Sequence, residues 1–250
     1  MSADRTRVAR RFGAAAHRYD CHAPVQAEVA RTLASLLPSA QLPPGPVLEI
    51  GCGTGLLTRE LLRQLSDRPI HATDLAPAML DHCRGAAWAQ DPRLSLAVLD
   101  GAEPLPWAGL ALIASSYALQ WLPQPEAVLN RWRAALAPGG WLLVAAPVAG
   151  SLPEWQTACE RAAVPYSGLT FPAWNGAELG LDPREICHCR VEDRVLSLAD
   201  PLDFFRSLRA IGATAADLST GAAALRRLCR AWPCPWQVTY RTGYLLLQRL

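Results

Sequence analysis

The sequence predicts an α/β domain: a doubly wound, mostly parallel seven-stranded sheet with helices on both faces and a lid over one end. Three observations carry this reading. Seven apolar runs of strand length alternate with segments whose apolar residues recur at helical spacing. The first run ends in a glycine-rich loop, Gly51 to Gly55. The rhythm breaks after Pro147, and residues 153–184 are rich in Pro, Gly and Trp, as befits a cover rather than a sheet layer. At roughly 150 residues per domain, 250 residues make one large domain. A chain of this size buries about 70–75% of its unfolded surface and needs no disulfide or metal to fold.

Taken in order, residues 5–20 are basic, with Arg5, Arg7, Arg10, Arg11 and Arg18 against Asp20 alone. Val25, Val29, Leu33 and Leu36 then mark a helix between Pro24 and Pro38, so residues 1–40 form an N-terminal helical lid segment. A Pro-rich hinge, Gln41 to Pro46, leads into the strand Val47–Ile50 and the glycine loop. Leu57, Leu61, Leu62 and Leu65 share one helical face. The cycle repeats with strand Ile70–Thr73, helix Pro77–Arg84, and strands Leu94–Val98 and Leu110–Ala114. Helix Pro125–Leu136 is expected to stop at Pro138-Gly139-Gly140, with Trp141–Ala146 as the fifth strand. An inserted cover over the site spans 150–184, followed by strand Val191–Leu198, helices Pro201–Ala210 and Ala222–Ala231, and strand Val238–Leu247. Alternation of this kind places a parallel sheet between two helical layers.

Composition narrows the function. With 51% hydrophobic and 18% charged residues the chain is neither disordered nor fibrous. No apolar run approaches the roughly 18 residues of a membrane span. The basic N-terminus, MSADRTRVARRFG, has no apolar core behind it, so no secretory signal is expected and the protein is placed in the cytoplasm. The net charge of +2, without aromatic residues interleaved among basic ones, argues against nucleic acid. All 24 basic residues are Arg, so no lysine can serve as base, Schiff-base former or phosphate clamp. The eight cysteines contain no CxxC pair, and Cys187-His188-Cys189 has the wrong spacing for a zinc knuckle. They read as reduced thiols, with no metal.

The chemistry concentrates at strand ends. Three close glycines leaving a buried strand let backbone approach a ligand that side chains would exclude. A dinucleotide loop wants G-x-G-x-x-G, whereas here position 56 is Leu and the third glycine is Gly55. Asp74 ends the second strand about 20 residues on, placed to accept both ribose hydroxyls of an adenosine. Asp100 follows the third strand in the run Leu99 to Glu103. The structural alternatives are a helix cap for Asp74 and a turn residue for Asp100.

The pattern E-x-G-x-G-x-G, from Glu49 to Gly55, resembles motif I of class I S-adenosylmethionine-dependent methyltransferases. More specific pieces are FGAAAHRYDCHA (Phe12–Ala23), SSYALQW (Ser115–Trp121), GSLPEW (Gly150–Trp155), LRAIGAT (Leu208–Thr214) and Thr239-Tyr240. Together they resemble the BioC type of malonyl-[acyl-carrier protein] O-methyltransferase of biotin synthesis, over nearly the whole chain. The resemblance implies a Rossmann-like sheet and S-adenosylmethionine as co-substrate. Its contacts would be Glu49, Gly51, Cys52, Gly53, Gly55, Asp74, Leu75, Met79, Asp100 (on the adenine amino group), Gly101, Ala102 and Ser115. It also implies methylation of the free carboxylate of a malonyl thioester, on acyl carrier protein or coenzyme A. No general base is needed for that, only positioning, for which Tyr19, Tyr117 and Gln120 are candidates, with His22, Trp121 and Arg209 as further acceptor contacts. The arginines at 5–18 and Arg206, Arg209, Arg226, Arg227 and Arg230 are either carrier-docking faces or ordinary solvated faces. Neither membrane nor nucleic-acid partners are expected, and the chain is expected to be a monomer. The alternatives are methylation of another small acceptor and a non-catalytic adenosylmethionine-binding interaction protein.

Overall fold

The computed structural model describes residues 5–38, 42–213 and 221–250. The first four residues of the lid segment, Gln41 of the hinge, and Thr214 with the residues after it to 220 lie outside the described residues. Seven strands form one sheet: β1 (Val47–Ile50), β2 (Ile70–Asp74), β3 (Leu94–Val98), β4 (Leu110–Ser116), β5 (Leu136–Pro147), β6 (Ile186–Ser197) and β7 (Gln237–Gln248). Their spatial order is β3-β2-β1-β4-β5-β7-β6. The first five are parallel, and β7 runs antiparallel between β5 and β6. The strand order reverses between β1 and β4, which opens a crevice at their carboxyl ends.

Alternate residues of each central strand feed opposite layers. On β5, Trp141, Leu143 and Ala145 join one core with helices α3 (Pro24–Ser35) and α4 (Leu56–Gln64). Leu142, Val144 and Ala146 join the other, against α6 (Pro125–Ala135). A third apolar cluster binds α7 (Pro153–Ala162), α8 (Pro201–Ala210) and α9 (Ala222–Ala231) around Trp155, Phe204, Phe205 and Trp232. Helices α1 (Arg5–Ala15) and α2 (Tyr19–His22) lead the chain over the carboxyl ends, and Phe12 and Tyr19 pack near Met79 of α5 (Pro77–Arg84). Proline opens α3, α5, α6, α7 and α8, where its missing N–H costs nothing.

Three strand boundaries differ from the sequence reading by more than one residue: β4 runs on to Ser116, and β5 and β6 begin earlier. Pro138-Gly139-Gly140 does not stop a helix. It lies inside β5, because Leu136 already pairs with Leu110 and the register then slips before Trp141 meets Leu112. Gly140 suits that irregularity, since an added Cβ would stand 2.8 Å from the carbonyl oxygens of both Leu110 and Ala137. Strand β6 begins at Ile186 rather than Val191. Its first residues, Ile186 to Arg190, show no apolar run or clear alternation, and Ile186, His188 and Cys189 are held by pairing with Leu245–Leu247 of β7.

The start of β6 is also tied to α6. Glu185 is 1% exposed, and both its oxygens accept from the Arg133 guanidinium, while Oε1 also accepts the Leu250 N–H at 3.1 Å. Arg133 holds the Glu185 carboxyl below its ordinary range. The stability gained is therefore present above that range and lost as acid protonates Glu185. Removing the guanidinium strands a buried charge, so Arg133→Ala is expected to cost about 3 kcal/mol. Urea unfolding checks this: an unchanged midpoint would show that the pair holds nothing.

Candidate active site

The glycine loop owes its shape to the strand beside it. The N–H groups of Gly51 and Cys52 both donate to the Thr73 carbonyl, at 2.8 and 2.9 Å. Gly53 N–H donates to Asp74 Oδ2 at 2.9 Å, and Gly55 N–H closes the turn on the Cys52 carbonyl. The three glycines have φ of 75°, 54° and 86°, a region L side chains rarely enter. Each has its own further reason. A Cβ on Gly51 would lie 2.3 Å from the Ala118 Cβ, and one on Gly55 would strike the Trp88 ring. At Gly53 a Cβ meets nothing within 4 Å. The space beside Gly53 is open, so a ligand could approach the backbone there.

Beside the loop is a cavity with an empty volume of about 930 Å³. Glu49, Gly51, Cys52, Gly53, Asp74, Leu75, Met79, Asp100 and Gly101 all line it, so most of the sequence-predicted cofactor set converges. Asp74 also closes the turn that leads into α5, its Oδ1 accepting the Ala76 N–H at 2.8 Å, while Ala76 itself is the N-cap. The turn and the loop contact hold the carboxylate still without exhausting its lone pairs. Burial pushes Asp74 upward, with the Ala76 and Gly53 N–H groups opposing.

Three expected cofactor residues do not line this cavity. Ser115 is fully buried and donates from Oγ to the Ile50 carbonyl at 2.9 Å. Strand β4 runs on to Ser116, so alternation turns Ser116 rather than Ser115 to the opening. Gly55 starts α4 against Trp88, and Ala102 contributes only its N–H, to Asp100 Oδ1. Sequence reasoning also missed Arg5 as a cavity residue. Its guanidinium bonds Asp100 Oδ2 at 2.6 Å and Glu103 at 3.1 Å, across more than ninety residues of chain. No local pattern announces such a pair.

A second cavity adjoins the first and shares Phe12, Tyr19, Gln26, Tyr117 and Trp121 with it. Gln120, Trp155, Phe171, Leu208, Ile211 and Tyr240 are among its other walls. None of the described residues lining it is charged. Phe12 stands edge-on to Trp121 with centroids 5.2 Å apart, so the lid and the ALQW turn form an aromatic collar between the cavities. Tyr117 is held at φ 56° by two bonds: its N–H to the Ala145 carbonyl and its hydroxyl to Thr242 Oγ1, both short. Burial raises the pKa of Tyr19, Tyr117 and Tyr240, the last to about 12, so all three remain neutral phenols.

His22 and Arg209 do not reach this cavity. Both are exposed. Arg209 sits on the outer face of α8, while Leu208 and Ile211 turn inward. Among the described residues no cluster of three or more His, Cys, Asp or Glu could hold a metal ion.

Comparison with known proteins fits this geometry. A methyltransferase-domain family profile matches residues 48–142. Among solved structures, a candidate methyltransferase of Bacillus halodurans superposes with a TM-score of 0.63 at 12% identity, over 89% of this chain and 99% of that one. An S-adenosylmethionine-dependent methyltransferase of Mesorhizobium loti gives 0.50 at 16% identity, over 88% and 96%. Sheet order and glycine loop define a class I methyltransferase fold. A malonyl-[acyl-carrier protein] O-methyltransferase of Halorhodospira halophila is 34% identical over 235 residues, 87% of this chain and 74% of that one. The biotin biosynthesis bifunctional protein BioCD of Bordetella avium is 38% identical over 249 residues, covering 95% of this chain. The chain spans about half of that bifunctional relative, 51%. It belongs to the malonyl-[acyl-carrier protein] O-methyltransferase family.

Glu49 yields a test of the site's electrostatics. It is 1% exposed, accepts from Thr58 Oγ1 at 2.6 Å, and burial pushes its carboxyl up to about 8. The unfolded chain loses that proton in the ordinary carboxylate range, so this contribution is complete below that range and is lost as pH rises through about 8. Glu49→Gln cannot ionise and is expected to melt with a flatter pH dependence over that window. Parallel melting curves for the two proteins would place Glu49 in an unperturbed environment.

Proposed function

We propose that this protein transfers the methyl group of S-adenosylmethionine to the free carboxylate of a malonyl thioester, carried on acyl carrier protein or coenzyme A, in the pimeloyl branch of biotin synthesis. The carrying observation is the pair of adjoining cavities of unlike charge. One, beside the glycine loop, is lined by Asp74 and by Asp100 with Arg5, beside a Glu49 carboxyl that burial keeps largely protonated at pH 7; the other has no charged group among the described residues. When bound, adenosylmethionine supplies an electrophilic methyl group on a sulfonium. The acidic cavity suits that cation, with Asp74 for the ribose, Asp100 beside the adenine, and Gly53 leaving the space a side chain would fill.

The neutral cavity suits the acceptor. A carboxylate is ionised at pH 7, so the protein supplies no base. Its task is to strip water from the carboxylate and aim it, and a wall with no cation among the described residues does so without quenching the nucleophile. Tyr19 and Trp121 stand where the cavities meet, and each offers a neutral donor. Arg226, Arg227 and Arg230 lie exposed on α9 and complement an acidic carrier protein. Arg5 is engaged with Asp100 and Glu103, and Arg206 with Asp203, which weakens their claim to that face.

The reading is tested with labelled adenosylmethionine and malonyl-, succinyl- and acetyl-carrier protein. Base-labile methyl ester should form on the malonyl carrier, whereas labelling of the acetyl carrier, which has no free carboxylate, would sink the chemistry. Asp74→Asn is expected to weaken adenosylhomocysteine binding at least about tenfold, roughly one charge-assisted hydrogen bond. Unchanged calorimetric affinity would move the ribose site elsewhere. Tyr19→Phe should bind adenosylhomocysteine normally yet transfer methyl about tenfold more slowly. Full activity in that variant would leave Tyr19 a packing residue.

A further inference from the structure

Gln120 carries an unexplained polar atom. It lies on the short turn Leu119–Trp121 and lines the acceptor cavity but not the cofactor cavity, so it is set back from the junction that its neighbours Tyr117 and Trp121 form. Its Nε2 donates to the Tyr117 carbonyl at 2.7 Å. Its Oε1 is buried, with no hydrogen-bond partner among the described residues. An amide flip cannot relieve this, because it would turn oxygen against a carbonyl oxygen. The side chain therefore holds Oε1 as a fixed, unmatched acceptor in the wall of that cavity. A buried acceptor left unmatched is destabilising, so it calls for a donor from the ligand.

Resting on the reading above, the chemistry of the substrate says which donor. The malonyl carboxylate and the thioester carbonyl carry only acceptor oxygens, so neither can pair with Oε1. The carboxylate belongs instead with donors, and Trp121 Nε1, also buried without a partner, lies at the junction. The first N–H of the acceptor is the amide nearest sulfur in the pantetheine arm, one cysteamine unit beyond the thioester. We propose that Gln120 Oε1 accepts this amide N–H. It thereby positions the arm and selects pantetheine-borne malonyl over malonyl esters without an amide, in place of the carboxylate-donor role its amide suggests from sequence.

The test uses acyl carrier protein loaded with three malonyl arms differing only at that amide, which is kept as N–H, replaced by CH2, or replaced by an ester oxygen. For the wild-type protein the expected order of kcat/KM is N–H, then CH2, then O. The amide should lead the methylene about tenfold, mostly through KM, with oxygen worst because it sets acceptor against acceptor. In Gln120→Met the three arms should converge. Equal rates for the three arms in the wild type, oxygen matching or beating methylene, or an intact preference in Gln120→Met would each overturn the assignment. The wild-type series stands by itself should Gln120→Met fold poorly. Absence of methyl ester on all three carriers, including the natural arm, would instead bring down the malonyl reading itself.

Discussion

The end of β2 holds the end of β1. The Thr73 carbonyl takes two loop N–H groups and the Asp74 carboxylate takes a third, so three successive residues of the glycine loop are fixed from one neighbouring strand. The clamp depends on parallel register: Ile50 stands opposite Thr73, which places the loop that leaves β1 directly beside Asp74. A slip of one residue would turn Asp74 to the other face and leave the loop donors unpaired. Asp74 also fixes the start of α5 through Ala76 N–H, so loop, strand end and helix start form one rigid unit. The cavity inherits its shape from this unit.

Charge is sorted along the crevice. The carboxyl groups gather beside the glycine loop, and the described walls of the far cavity are aromatic and aliphatic side chains with the neutral amides Gln26 and Gln120 and the hydroxyls of Ser151 and Ser167. Burial drives both ends the same way, raising Glu49 and Asp74 at one and Tyr19, Tyr117 and Tyr240 at the other. The physical result differs. The Glu49 carboxyl, pushed up to about 8, remains responsive to a cation brought against it, whereas a phenol raised this far is only a hydrogen-bond donor or acceptor. Such a division suits joining a cation to an anion: each can be recognised without a protein counter-charge standing between them.

Much of this was legible in the sequence because it is local. The short strands β2 and β3, the Pro-led helices α5 and α8, the glycine loop and the acids at the ends of β2 and β3 each follow from a few adjacent residues. What escaped depends on parity or on distance. Ser115 and Ser116 differ only in which side of β4 they face, and that is decided by where the strand ends. Arg209 and His22 fall on outer faces, although their neighbours Leu208, Ile211 and Tyr19 point inward. Arg5 finds Asp100 only through the fold. Gln120 was recognisable as a site residue, but not which end of its amide it shows; that is set by the Tyr117 carbonyl, itself placed by a left-handed turn.

The lid and the cofactor cavity are one structure. The N-terminal segment is held by Arg5 on Asp100 and Glu103, and by Asp20, which accepts from Thr54 Oγ1 and lies 3.5 Å from Arg59. Arg5, Thr54 and Asp100 all line the cavity. Phe12 and Tyr19, between these two ties, supply the collar that divides the cavities. A ligand entering beside the glycine loop thus meets the groups that hold the lid down, and the lid in turn carries the side chains facing the acceptor. The Arg5–Asp100 and Thr54–Asp20 ties are part-buried and act beside the apolar packing of Phe12, Ala16 and Tyr19 against Met79, so the lid is fastened by both kinds of contact. Because Arg5, Thr54 and Asp100 serve the lid and the cavity at once, whatever touches them beside the glycine loop also touches what positions Phe12 and Tyr19.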